Sequence, residues 1–158
     1  MGISRDVKYV LIIGVTTILI GCQSNKYYEE FKQVENASWK AKEQLSFQVN
    51  AIDSNTKYDL FVVVRNTKSY KYQNLYLFVD IMAPSGKLER DTIECLLADV
   101  GGKWFGNSAG DVIDNKIWFR TNFQFKELGK YHFLFEQAMR EDELKEIIDF
   151  GICVEEKK

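Results

Sequence analysis

The chain has 158 residues, with 21 basic side chains, 23 acidic ones and one histidine, for a formal net charge of −2. So even a balance offers no basic face to a phosphate backbone, which argues against nucleic acid as a partner. At 46% hydrophobic and 14% aromatic residues, the chain is also too apolar to remain disordered.

Arg5 and Lys8 precede an apolar stretch over residues 9–20 that is broken only by Gly14, Thr16 and Thr17. A membrane span takes about 20 consecutive apolar residues, whereas a basic start, a shorter apolar core and a small residue define a secretory signal. The stretch therefore predicts a signal helix over residues 1–21. It ends in Leu19-Ile20-Gly21-Cys22, the lipobox order of aliphatic, variable, small and cysteine. Cleavage before Cys22 is expected, with diacylglycerol on its thiol and a further acyl chain, such as palmitate, on the freed amine. Two or more chains hold a protein stably on a bilayer, so a membrane is the first expected partner, through Cys22. Gln23 rather than aspartate follows the cysteine, and no acidic run comes after it. Both features favour the outer membrane and its periplasmic face. The 137 residues that remain suit one domain, and the loss of Arg5, Lys8 and Asp6 leaves 19 basic and 22 acidic side chains.

Residues 22–37 are polar and mixed in charge and read as a tether, with the folded domain over 38–158 beginning near Trp39. From there the pattern has the period of two that marks half-buried strands. Leu45, Phe47 and Val49 alternate with polar neighbours, as do Tyr58, Leu60, Val62 and Val64. The nearly continuous apolar run 75–83 suits a central strand covered on both faces, and Pro84-Ser85-Gly86 turns it into a hairpin with 88–96. Two further strands are carried by Ile117, Phe119, Thr121, Phe123 and Phe125, then by Tyr131, Phe133 and Phe135. Gly129 two residues before Tyr131 resembles a tyrosine corner, in which a phenol hydroxyl ties back to nearby backbone. One short helix is expected over 136–145, where Ala138, Glu141 and Leu144 fall at helical spacing, and a last strand carries Phe150, Ile152 and Val154. Seven or eight short strands with turn-like breaks predict an all-β, antiparallel β-sandwich of Greek-key or jelly-roll type with that one helix.

No catalytic constellation stands out. His132 is the single imidazole and lies in an aromatic run, so neither a nucleophile–base pair nor a metal site is suggested. Gly101-Gly102-Lys103 lacks the other residues of a phosphate loop. Asp91, Glu94, Asp99 and Asp111 with Trp104 could build a sugar site, but acids on solvent faces serve solubility more often. We expect no enzyme, no metal and no cofactor. Cys95 and Cys153 are either a disulfide, which an oxidising compartment permits, or two buried thiols.

Several segments, taken in order, carry a resemblance. They are Cys22, Trp39, Val64-Arg65-Asn66, Tyr70, Tyr72, Asn74-Leu75, Pro84, Gly86 and Asp91-Thr92-Ile93-Glu94. Then come Leu97-Ala98-Asp99, Gly102-Lys103-Trp104-Phe105-Gly106, Gly129-Lys130-Tyr131, Gln137-Ala138-Met139-Arg140, Leu144 and Gly151. Together they resemble the gliding-motility lipoprotein GldH family of the Bacteroidetes over nearly the whole mature chain. The resemblance implies a non-enzymatic outer-membrane lipoprotein of the gliding machinery, linked to type IX secretion, whose partners are other envelope proteins. Arg65, Asn66, Asp99, Lys103 and Trp104 are the candidate interaction surface, because loops at strand ends present contact groups and aromatic and arginine side chains dominate interfaces. Two alternatives stand beside that reading: Trp104 as a cap on the core, and a glycan-binding sandwich using Trp104, Trp118 and nearby acids.

Overall fold

Side chains alternate between core and solvent along β3 (Gln44–Ala51), with Leu45, Phe47, Val49 and Ala51 buried and their neighbours exposed, as a strand half-covered by a second sheet requires. The computed structural model describes residues 25–157, and every strand pairing in it is antiparallel. Besides β3 the strands are β1 (Lys26–Gln33), β2 (Ser38–Lys40), β4 (Tyr58–Thr67), β5 (Asn74–Met82), β6 (Leu88–Leu96), β7 (Asn107–Ala109), β8 (Val112–Phe123), β9 (Gly129–Gln137), β10 (Glu143–Lys145) and β11 (Ile147–Glu156). A five-stranded sheet in the order β1-β11-β4-β8-β7 packs against a four-stranded sheet in the order β3-β9-β5-β6, and β10 and β2 form a ribbon at one end. The all-β antiparallel sandwich expected from the alternating pattern is thus what the chain forms.

Register gives the sandwich two distinct ends. Lys26, Glu155 and Asp59 lie side by side at one end of the five-stranded sheet, while Gln33, Asp149, Arg65 and Asp114 lie side by side at the other. The six residue steps from Asp59 to Arg65 correspond to about 20 Å along the strand. We call the Lys26 end the foot and the Arg65 end the head. Connections 52–57, 83–87 and 124–128 lie at the foot, and 68–73, 97–106 and 138–142 at the head.

The two inner faces meet in one aromatic core that includes Trp39, Phe47, Tyr58, Phe125, Phe133, Phe135 and Phe150, all fully buried. At the foot the Tyr131 hydroxyl accepts the Glu127 N–H at 3.1 Å, which is the tie across the corner that Gly129 and Tyr131 suggested. Gly129 supports it with φ of +121°, a backbone state open to glycine. The hairpin through Pro84 and Gly86 joins β5 to β6 as expected, Gly86 N–H donating to the Ala83 carbonyl at 2.9 Å.

β5 departs from the expectation of a strand covered on both sides. Tyr76 and Phe78 stand on its outer face and are exposed, and Asp80 on that same face is held by Arg90 of β6 through two hydrogen bonds, Nε to Oδ1 at 2.6 Å and Nη2 to Oδ2 at 2.5 Å. The hydrogen bond from Arg90 holds the Asp80 carboxyl below its ordinary value. A carboxyl depressed in the folded state stabilises the fold above its unfolded pKa of about 3.9, and that contribution disappears as pH falls through the lower folded value. Urea melts across the acid range are therefore expected to lose stability less steeply in Asp80→Asn than in the parent protein. Parallel curves would show that the pair contributes nothing.

Two further expectations are corrected. Residues from Lys26 onward are not a tether: β1 is an edge strand paired along its length with β11, and Val34 after it is buried. With only one neighbouring strand, β1 needs few apolar residues and so reads as polar linker, yet Tyr27 stacks 4.9 Å from Tyr58 and donates its hydroxyl to the Asn50 carbonyl at 2.7 Å. No α-helix occupies 136–145 either, nor any other described segment. Residues 136 and 137 finish β9, and Leu144 lies on β10, buried opposite Trp39 of β2. A three-residue spacing in so short a window fitted two turns of chain as well as it fitted a helix.

Cys95 and Cys153 are both free and buried. They lie in opposite sheets, and their side chains point in different directions. Cys95 joins the core between the sheets, while Cys153 shares the outer face of β11 with Glu155, whose carboxylate lies 3.8 Å from its sulfur. Desolvation pushes their thiols up, to about 12 and about 11 respectively. The signal helix and Cys22 lie outside the described residues.

Candidate functional site: the head of the sandwich

Arg65 sits on the outer face of β4, opposite Val64 and Val62 of the core. Its Nε donates to Asp114 at 3.1 Å and its Nη1 lies 3.5 Å from Asp149, while its guanidinium carbon stands 4.6 Å from the centre of the Phe31 ring. Gly151 makes this arrangement possible. A Cβ there would come within 2.6 Å of the Phe31 ring and 2.7 Å of the Glu30 carbonyl, so the bare backbone is what allows Phe31 to lie over β11 beside Arg65. A stacked, doubly paired guanidinium loses little further freedom when it meets another planar or acidic group.

Next to Arg65 lies a groove of about 430 Å³, bordered by Phe31 and Val63 on the sheet and by Leu96 and Phe105 on the facing wall, with Asp114 and Lys116 along it. Leu96 and Phe105 also border a shallower depression with Tyr72, Glu94 and Val100. Val100 is 100% exposed and Phe105 63%. Exposed apolar side chains scattered singly need no explanation, but a contiguous set rimmed by charges marks a contact surface.

The loop over 97–106 is held in shape by Asp99. Its Oδ1 accepts the N–H groups of Gly101 and Lys103, both at 2.9 Å, and its own N–H donates to the Lys103 carbonyl at 2.9 Å. Trp104 pairs with Ala98 across the loop and packs half-buried against the core. Its neighbour then faces the other way, which is why Phe105 is the exposed aromatic. Gly106 opposes Asn115, and a Cβ there would fall 2.5 Å from the Asp114 carbonyl and the Asn115 side-chain oxygen, so no side chain fits.

Of the five residues expected to form the surface, Arg65 borders the groove, Asp99 organises the loop and Lys103 is exposed on it. Asn66 is wholly buried, its Oδ1 accepting from Asn115 Nδ2 at 2.8 Å, so it belongs to the interior. Phe31, Leu96, Val100 and Phe105 escaped the sequence reading. Alternation through Trp104-Phe105 was the one available signal, since two adjacent strand-like residues cannot both face the core.

Four of the five non-glycine residues with positive φ, Asn36, Ala37, Lys42 and Glu146, also lie at the head, where loops and ribbon turn sharply. Such backbone states collect at functional sites. Trp104 and Trp118 do not converge on one sugar platform, because Trp118 is exposed on the outer face of β8 beside Phe61 while Trp104 packs toward the core. His132 is half-buried on the outer face of β9 between Gln48 and Met82. Among the described residues no group of acids, cysteines and histidine is placed to hold a metal ion.

Comparison with known proteins gives the chain its relatives. Among solved structures, the uncharacterized protein lmo2446 of Listeria monocytogenes superposes on it at a TM-score of 0.45, with 16% identity over 79% of this chain and 9% of that one. Sequence is more informative. The chain is 35% identical to a gliding motility lipoprotein GldH homolog of Christiangramia forsetii over 96% of its own length and 97% of the relative's. It is 32% identical to the gliding motility lipoprotein GldH of Flavobacterium johnsoniae over 93% and 95%. The sequence pattern of the GldH lipoprotein family matches residues 26–154, from the first residue of β1 almost to the end of β11. The whole sandwich, edge strand included, is therefore the family's shared unit, and this chain belongs to the GldH lipoprotein family.

Proposed function

We propose that this lipoprotein is a non-enzymatic component of the gliding apparatus and its associated type IX secretion machinery. It is anchored through acylated Cys22 in the outer membrane, faces the periplasm, and binds another envelope protein with the head of its sandwich. Relatedness to gliding motility lipoproteins along nearly the full chain carries the first part. The Arg65 groove and the exposed Phe105, Val100 and Leu96 beside it carry the second. Arginine and aromatic anchors next to partly desolvated charge are what give interfaces their affinity.

A photo-crosslinking residue at Phe105 in living cells tests this. Capture of a specific motility or secretion protein is expected there, and none from Lys130 on the outer face of β9. Once the partner is in hand, Phe105→Ala is expected to weaken binding by about 2 kcal/mol or more, roughly 30-fold. The stability of the isolated protein should move by no more than about 0.5 kcal/mol. Trp104→Ala should do the opposite, lowering the melting temperature through lost core packing. If Phe105 crosslinks to nothing or only to lipid, the head is not the interface.

A further inference from the structure

The foot of the sandwich carries its own pattern, separate from the head. Exposed aliphatic side chains stand at or beside each of its three connections: Ile52, 70% exposed, in 52–57, Leu88, 57%, just after 83–87, and Leu128, 61%, in 124–128. The connections are laced into one surface. Gln124 Nε2 donates to the Ser54 carbonyl at 2.7 Å, and Glu127 accepts both the N–H of Ser85 at 2.9 Å and its hydroxyl at 2.8 Å.

The charges there are sorted by sign. Glu127 is turned inward to Ser85, Asp53 accepts the N–H groups of Asn55 and Thr56 at 2.9 and 3.0 Å, and Asp59 accepts the Asn122 N–H at 3.1 Å. Glu155 is taken by Lys116 at 2.6 Å. Glu89, beside Leu88, is paired with Arg120 at 2.7 Å, and Glu156 stands next to Lys157. By contrast Lys57, Lys87, Lys126 and Lys130 form no ion pair among the described residues. The result is a surface of separate aliphatic tips among unpaired ammonium groups.

β1, the first described strand, also begins at this end. Three residues separate Cys22 from Lys26, the first residue of β1, so even a fully extended connection spans no more than about 14 Å. We propose that the foot, through Ile52, Leu88, Leu128 and their flanking lysines, rests on the lipid bilayer that holds the acylated Cys22, and that this contact points the head straight away from the membrane. The proposal rests on the lipidation of Cys22. It adds a second point of membrane contact and hence an orientation, which a lipid chain on a flexible link does not provide. Aliphatic side chains enter the boundary between headgroups and acyl chains while lysines reach up to anionic headgroups, the division of labour seen in surface-bound segments. Held this way, the Phe105 loop is presented about 20 Å or more above the foot.

The test uses the mature lipoprotein with its acyl chains, reconstituted on vesicles of phosphatidylethanolamine and phosphatidylglycerol. An environment-sensitive nitrobenzoxadiazole label is attached in turn to Ile52→Cys, Leu128→Cys, Val100→Cys and Phe105→Cys; all four positions are exposed, and the native thiols are buried. Labels at 52 and 128 are expected to shift to blue emission on vesicles and to be quenched by bromine-bearing lipids. Those at 100 and 105 should emit as they do in detergent-free buffer with no lipid present. Adding Leu128→Asp to the Ile52→Cys protein should weaken the shift at 52. If the protein floats with the vesicles yet all four labels stay aqueous, the anchor is right and the docking surface is wrong. If the head labels embed, the orientation is overturned. If the protein does not float at all, lipidation fails and takes this proposal with it.

Discussion

Cys22→Ser is expected to carry no acyl mass and to vanish from the outer-membrane fraction. The native protein, by contrast, should lack residues 1–21 and carry two or three fatty acyl chains on its first residue. The reason is chemical. Only a thiol at that position can form the thioether to diacylglycerol, and a serine hydroxyl is a poor substitute. The energetic effect is large because each buried methylene contributes about 0.8 kcal/mol, so that one chain binds reversibly and two bind for good. Intact mass spectrometry of the native and substituted proteins decides the matter. A native mass equal to the bare polypeptide, with or without its leader, would end the anchoring reading together with the orientation built on it. The sandwich itself should be unaffected, since its aromatic core is built from residues of β1 onward.

Trp39→Ala is expected to be the most damaging of the three possible tryptophan truncations, at about 3–5 kcal/mol, which for a domain of this size lowers the melting temperature by roughly 10–20 °C. The indole is fully buried and lies 5.0 Å from the Phe150 ring, and its Nε1 donates to the Glu43 carbonyl at 3.0 Å. It also faces Leu144 across the β2–β10 ribbon. Removing it opens a cavity where the ribbon closes the head of the core, and leaves the Glu43 carbonyl without its indole donor. The same change at Trp118, exposed on the outer face of β8, should alter stability by no more than about 0.5 kcal/mol, with Trp104 between the two. Thermal melts of the three proteins give the order directly. A Trp39→Ala protein that melts within a few degrees of the parent would mean that the ribbon packs independently of the core, contrary to the contacts described here.

Lipobox, strand alternation, the β5–β6 turn, the corner at Tyr131 and the family pattern were all legible in the amino-acid sequence. Each depends on neighbours a few residues apart, or on residue types that only one chemistry or one backbone state accepts. Where partners lie far along the chain, local pattern failed. β1 reads as a tether because its strand partner, β11, lies more than a hundred residues away and supplies the apolar contacts that β1's own sequence is short of. The segment over 136–145 reads as a helix because the pairing of Leu144 with Trp39 is likewise non-local. Which way a side chain points within an assigned strand was settled only by sheet packing. That packing put Cys95 inside and Cys153 on an outer face, buried Asn66 beside Asn115, and turned Trp104 inward so that Phe105 stands out. The two ends of the molecule are a tertiary fact as well. Register alone brings Ile52, Leu88 and Leu128, at three separate connections, to the end where β1 begins, and sets Arg65 and Phe105 at the other. No periodicity in the sequence measures that distance, because it is the length of the folded strands that creates it.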